Sequence, residues 1–257
     1  MCVCVCVCVR RGWGEGAKGT FTRCDKKMRH ATCDKIALCK RAYSYLFVRH
    51  EAVACCLAAG SDNISVKLLK DSADTTVPFL ATIFNLSLSQ GVFPNDWKNA
   101  RVSPIYKSGE KDECGNYRPI LVLYVVSKLF EKLIYEQMYC YLDNHELLIS
   151  FQSGLRKGNW TSTFLLNTTN TWLVNMDRGL INGAIFLDLK KAFDSVDHAI
   201  LIKKLELYGI KGNCLRWFIS YLSDRTQVCK VGKTISSKKY VKTGVPQGSN
   251  LGPLLYL

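Results

Sequence analysis

An α+β fold is predicted for most of this chain, and three observations predict it. Apolar residues recur at helical spacing twice, as Val77, Leu80, Ala81, Phe84 and Leu88, and again as Val126, Leu129, Phe130, Leu133, Ile134 and Met138. Beyond these stripes lie two short runs of strand length, residues 101–106 and 183–187, and the second ends on a carboxylate, Asp188. Residues 226–232 and 238–243 then read as the two strands of a hairpin.

Length and composition allow such a fold. A chain of 257 residues with 48% hydrophobic content can bury a sizeable core, which excludes disorder throughout. Its formal net charge of +14 favours a polyanionic partner, because clustered Lys and Arg displace counterions from phosphates. Half of that charge sits in residues 1–56, which hold 11 Lys or Arg against 4 Asp or Glu. Of the 13 cysteines, four belong to an opening repeat and the others lack regular spacing, so a reducing compartment is expected and not a disulfide scaffold. Cys24, Cys33 and Cys39 lie near His30, but without the close Cys pairs of a zinc site they read as scattered thiols. Arg49, His50 and Glu51 interrupt the most apolar stretch, residues 43–60, so no membrane partner is expected and the protein reads as soluble.

Each element can be justified in order. Residues 2–9 alternate Cys and Val with the period of a strand, yet Arg10 and Arg11 follow the apolar run, the wrong order for a signal peptide. A TG dinucleotide repeat encodes the same alternation. Residues 1–20 are therefore set apart from the fold as a low-complexity leader, and residues 21–57 as a basic, Cys-containing segment without clear periodicity. From about Gly60 the character changes: Ser61 and Asp62 are cap candidates ahead of Ile64, Leu68 and Leu69, and the stripe from Val77 to Leu88 ends at Gly91 and Pro94. The strand at 101–106 leads into a polar loop, residues 107–115. In the next helix Lys128, Glu131, Lys132 and Glu136 fall mostly on the side away from the apolar stripe. A helix near residues 162–177 precedes the run 183–187, which suits a buried strand. Asp197 is placed to cap a further helix, and Leu215, Phe218, Ile219 and Leu222 form the inward face of the one after it. Residues 244–253, GVPQGSNLGP, make a turn-rich element that enters a last short helix.

Asp188 is the first chemical candidate. Carboxylates are hard oxygen donors suited to Mg²⁺, and a strand end holds one rigidly; taken alone, though, an Asp there is more often a turn or cap residue. Its context decides. The segments FLDLKKAFDSVDH at 186–198, TGVPQGSNLGPLL at 243–255 and NYRPI at 116–120 occur in one chain, in this order. AAGSDNISVKLLK at 58–70, GVFPNDWKNARVSPIYKSGEKD at 91–112 and FQSGLRKGNWTST at 151–163 accompany them. Together these motifs resemble the reverse transcriptases of non-LTR retrotransposons of the jockey or LINE kind, over residues 58–257.

The resemblance implies the fingers and partial palm of a right-hand polymerase, cut before the paired-aspartate hairpin and the thumb. It implies Asp188 as the first metal-binding carboxylate, with the backbone carbonyl of Leu189 as a further ligand, in a site that when complete holds two Mg²⁺ ions. Phe193 falls where the family sets an aromatic ring against the sugar, although a core aromatic explains it equally well. Arg118 falls where a guanidinium meets the incoming triphosphate, with Lys111, ahead of Lys107, as its helper. Gln247 and Gly248 match the element that packs against the nascent base pair, and Arg156 and Lys157 the contacts to the nucleic-acid backbone. Asp194, Asp197 and His198 are explained by capping and local hydrogen bonds. Trp160 and Leu121 depart from the family's usual His and Ser. The implied partners are an RNA template, a DNA primer and deoxynucleoside triphosphates, inside the cell in cytoplasm or nucleus. Lacking the paired aspartates, the chain alone is expected to be inactive, and the alternative is a noncatalytic RNA-binding remnant or domesticated fragment.

Overall fold

The computed structural model describes residues 2–9 and 59–257, Lys157 excepted. The remaining leader, the basic segment 21–57, and with them Cys24, His30, Cys33 and Cys39, lie outside the described residues. In chain order the elements are β1 (Cys2–Val9), α1 (Val66–Asp71), α2 (Ala73–Gln90), β2 (Asn99–Tyr106), β3 (Tyr117–Val122), α3 (Val125–Asn144), α4 (Thr161–Asp177), β4 (Ile181–Asp188), α5 (His198–Leu207), α6 (Gly212–Leu222), β5 (Thr226–Val231), β6 (Thr234–Ile235), β7 (Lys239–Tyr240) and α7 (Gly252–Tyr256). They fall into two compact units: residues 59–147 with 193–257, and residues 2–9 with 148–192.

The larger unit is a mixed sheet with helices. Its strands run in the order β3-β2-β5-β6, with β7 also pairing β5. β2 and β3 are antiparallel, Arg101 opposite Val122 and Tyr106 opposite Tyr117, whereas β2 and β5 are parallel from Asn99 and Thr226. Pro104 and Pro119 face each other across β2 and β3. Neither breaks the sheet, because β3 is an edge strand and β5 pairs β2 only as far as Val102.

Aromatic packing fixes the helices. Phe84 of α2 stacks on Phe130 of α3 with ring centroids 4.3 Å apart, and Phe93 stands edge-on to Trp217 and Tyr221 of α6 at 5.4 and 5.1 Å. Such contacts add about 0.5–1.5 kcal/mol per pair beyond the area they bury. The indole N–H of Trp217 is satisfied by Ser87 Oγ at 3.0 Å, and Phe93 N donates to Ser220 Oγ at 3.0 Å. Gly91, with φ of 68°, ends α2, and a Cβ there would lie 2.9 Å from Asn213 O.

Three expectations are corrected in this unit. The cap of α1 is Ser65, whose hydroxyl accepts from Leu68 N at 3.1 Å; Asp62 lies too early and closes a local turn on Ile64 N. The buried face of α6 is Cys214, Trp217, Phe218, Tyr221 and Leu222, while Ile219 is 42% exposed. Both faces satisfy helical spacing, and the large rings decide the rotation because they bury the greater area. Lys128 and Glu131 of α3, read as solvent-facing, are buried.

In the smaller unit β1 pairs β4 antiparallel, Cys2 opposite Asp188 and Val9 opposite Ile181, so residues 2–9, set apart from the fold on their low complexity, take part in a sheet. Asn182 of β4 donates to Trp172 O of α4 at 2.9 Å and accepts from Asn175. β4 departs from the buried strand its composition suggests: Ile185, Phe186 and Leu187 are all more than half exposed. A strand is buried when layers cover both faces, and a two-stranded sheet gives these side chains few neighbours within the sheet itself.

Replacing fully buried Phe84 by Ala should lower stability by about 3–5 kcal/mol in urea unfolding, whereas Ile219→Ala should stay within about 0.5 kcal/mol of the parent. Comparable losses from both would refute the rotation of α6 described above.

Candidate functional site

The residues 244–253 form a turn held from three sides. On the first side, Gly244 N donates to Val196 O and Val245 N to Phe193 O, each at 2.8 Å, and His198 Nε2 donates to Gly244 O at 2.7 Å. Gly244 has φ of 88°, and a Cβ there would meet Asp194 Cα at 2.7 Å. On the second side, Leu121 N at the end of β3 donates to Gln247 O at 2.8 Å. Gly248, with φ of 112°, comes so close to that strand that a Cβ would lie 2.7 Å from Leu121 O. On the third side, Asn250 N donates to Glu131 Oε2 at 2.9 Å and Asn250 Nδ2 to Lys128 O at 2.6 Å. Within the turn, Ser249 Oγ donates to Pro246 O and accepts from Gly252 N.

Glu131 is fully buried. Burial pushes its carboxyl above the usual range, against the opposing pull of the Arg225 guanidinium and the N–H groups of Asn250 and Leu251. Arg225 is itself buried: its Nη1 donates to Tyr221 O at 2.9 Å, its guanidinium lies 4.8 Å from the Tyr221 ring centre, and its Nη2 has no hydrogen-bond partner among the described residues. Burial also pushes the Tyr221 hydroxyl well up.

Of the residues singled out by the sequence, Phe193, Gln247 and Gly248 meet at this turn. Phe193 stacks on Tyr256 at 5.1 Å, so one face of its ring is already used in packing. Arg118 lies exposed on β3, three residues before Leu121, a distance of about 10 Å along a strand. Lys111 lies exposed in the loop between β2 and β3, its ammonium 5.9 Å from the Tyr106 ring. That loop is ordered by its own contacts: Asn116 Nδ2 donates to Glu110 O at 2.8 Å, Tyr106 hydroxyl to Gly109 O at 2.6 Å and Tyr117 hydroxyl to Lys111 O at 2.8 Å.

The other candidates belong to the smaller unit. Asp188 is the exposed last residue of β4, and Leu189 follows it, also exposed. Arg156 donates from Nη1 to Ile149 O at 3.1 Å, and Lys157 lies outside the described residues. Among the described residues no three His, Cys, Asp or Glu side chains gather for a metal ion. Nor, among those residues, is any helix long and apolar enough to cross a membrane.

Two positions escaped the sequence reading. His198, read as a local capping neighbour, reaches 46 residues along the chain to Gly244. Glu131 left a faint signal, since Ser127, Glu131, Ile134 and Met138 share one helical row and all are buried.

Residues 105–257 match the family described as reverse transcriptase (RNA-dependent DNA polymerase). The chain belongs to that family. It is 35% identical over 204 residues to the probable RNA-directed DNA polymerase from transposon BS of Drosophila melanogaster, covering 77% of this chain and 22% of that protein. Over 202 residues it is 35% identical to the RNA-directed DNA polymerase from mobile element jockey of the same species, covering 76% and 21%. A Pol polyprotein from type-1 retrotransposable element R2 of Popillia japonica is 25% identical over 223 residues, or 83% and 30%. This reverse transcriptase chain thus resembles polymerases of non-LTR elements and spans about a fifth of the length of the first two. The matched region contains the turn, β3, and the strand that bears Asp188.

Two outcomes are expected from the turn. Gly248→Ala should cost roughly 1–3 kcal/mol, because it forces a side chain into a positive-φ position against Leu121 O; an unchanged urea midpoint would refute the close approach. For Glu131, a folded-state pKa above the ordinary 4.5 means that the native state binds the proton more tightly than the unfolded chain. Its contribution is therefore full below that ordinary value and is lost as pH rises through the folded pKa. Glu131→Gln, which does not titrate, should flatten the decline in stability with rising pH, checked by urea midpoints from acid to neutral pH.

Proposed function

We propose that this chain supplies the fingers and upper palm of an RNA-directed DNA polymerase of the non-LTR kind. The observation that carries the reading is the convergence of the Phe193 segment, the end of β3 and the Gln247–Gly248 backbone on one rigid turn. There Gln247 and Gly248 face the nascent base pair, where a glycine lets the backbone approach closely. Phe193 stands against the sugar, and Arg118, aided by Lys111, receives the triphosphate through a fork of N–H donors suited to phosphate oxygens. Arg156 and Lys157 touch the nucleic-acid backbone. The partners are an RNA template, a DNA primer and deoxynucleoside triphosphates, met in the cytoplasm or nucleus.

Asp188 and the carbonyl of Leu189 are the chain's contribution to metal binding. Divalent ions, in a complete site, lower the pKa of the attacking hydroxyl and neutralise the leaving group. The described residues hold too few converging carboxylates for this, and several kcal/mol of transition-state stabilisation are then missing, at tenfold in rate for each ~1.4 kcal/mol. This polypeptide alone is proposed to bind without turnover.

Primer extension on an RNA template, with Mg²⁺ and deoxynucleotides, tests this beside an Asp188→Ala control. Folded protein should give no extension in either form. Extension by the parent that disappears in the control would refute inactivity while assigning Asp188 its metal; extension that survives in the control would remove Asp188 from the site.

A further inference from the structure

From Arg225 to Leu257 the chain contains six basic residues and no Asp or Glu. Arg225 is buried in the core, but Lys230, Lys233, Lys238, Lys239 and Lys242 are all exposed, on the arm formed by β5, β6 and β7. The arm is built, not loose. β5 pairs β2 in the central sheet, Lys230 lies opposite Ile235, and Gly232 takes φ of 59° to close the turn before Thr234. Ser236 bonds back to Cys229 through both its backbone N–H and its hydroxyl, each at 2.9 Å, and Val241 N donates to Arg225 O at 2.9 Å. Tyr240, 72% exposed, sits between Lys238 and Lys242. Asp224, the last acidic residue before the arm, acts on Lys98. Five residues beyond Lys242 the chain reaches Gln247.

We infer that this arm is a binding surface for the phosphate backbone of single-stranded RNA, with Tyr240 as a stacking platform for a base. The inference rests on the polymerase reading and extends it to residues outside the motifs. An arm that carries positive charge alone attracts a polyanion over its whole length, and lysines act as mobile point charges suited to phosphates in no fixed geometry. An exposed ring among them adds sequence-tolerant stacking. A second account exists for lysines on an edge: they discourage other strands from pairing there. The two differ in what neutralisation does to binding.

The test measures binding of a fluorescent single-stranded RNA oligomer by anisotropy across a salt series, using the whole chain. Neutralising Lys238, Lys239 and Lys242 to Gln should weaken binding about tenfold or more at low salt, and should reduce the slope of log K against log salt by about 2. A control with Lys67, Lys203 and Lys211 changed to Gln removes equal charge elsewhere and should leave most of the slope. Changing the three arm lysines to Arg should restore binding, which separates charge from folding. Equal slopes in arm and control variants would overturn the inference while leaving the polymerase reading intact. Absence of salt-dependent RNA binding by the folded parent would overturn both.

Discussion

The buried carboxylate of Glu131 faces a desolvation cost of several kcal/mol, and the larger unit is arranged around meeting it. Asn250 N supplies a hydrogen bond, Ser127 Oγ approaches at 3.4 Å, and Arg225 supplies opposing charge. Apart from Ser127, which shares the helix of Glu131, the partners lie on other segments. α3 carries the acid, the chain between α6 and β5 carries the arginine, and the turn before α7 carries the amide. A carboxylate satisfied in this way selects one arrangement of three segments, since sliding any of them leaves a buried charge without its donors. Apolar packing alone is more permissive, because volume-conserving shifts cost little.

That selectivity explains how a turn rich in Gly and Pro can still be rigid. Gly244 and Gly248 adopt positive φ and approach Asp194 and Leu121 within distances that exclude a side chain, while His198, Leu121 and Asn250 fasten the turn by hydrogen bonds. The result is a backbone surface fixed in position but free of side-chain bulk. The charged groups follow the opposite rule. Arg118, Lys111 and the arm lysines stand exposed, where each can adjust to a flexible, hydrated polyanion. The fold thus pairs a rigid backbone surface at the turn with solvated charge on Arg118, Lys111 and the arm lysines.

Much of this was legible. The stripe from Val77 to Leu88, the strand at 101–106 and the helix from Val126 to Met138 all appear where their periodicity put them, and Asp197 caps α5 through Ile200 N at 3.0 Å. Motifs led to Phe193, Gln247 and Gly248, which the fold brings to one turn. Three features were illegible for separate reasons. The rotation of α6 depended on which residues offered the largest rings to Phe93, a partner more than a hundred residues away. The exposure of β4 depended on what covers it, and composition reports only that Ile185, Phe186 and Leu187 are apolar.

Glu131 is the deeper case. Helical position put it in a buried row, but charge argued for solvent, and local rules settle such a conflict in favour of solvent because an isolated buried carboxylate is so costly. The conflict disappears only when Asn250, 119 residues on, is known to donate its amide. A polar residue on an apolar row is therefore a sign that a distant donor exists. The sequence states that one is required without saying where it lies, and the fold is what supplies the address.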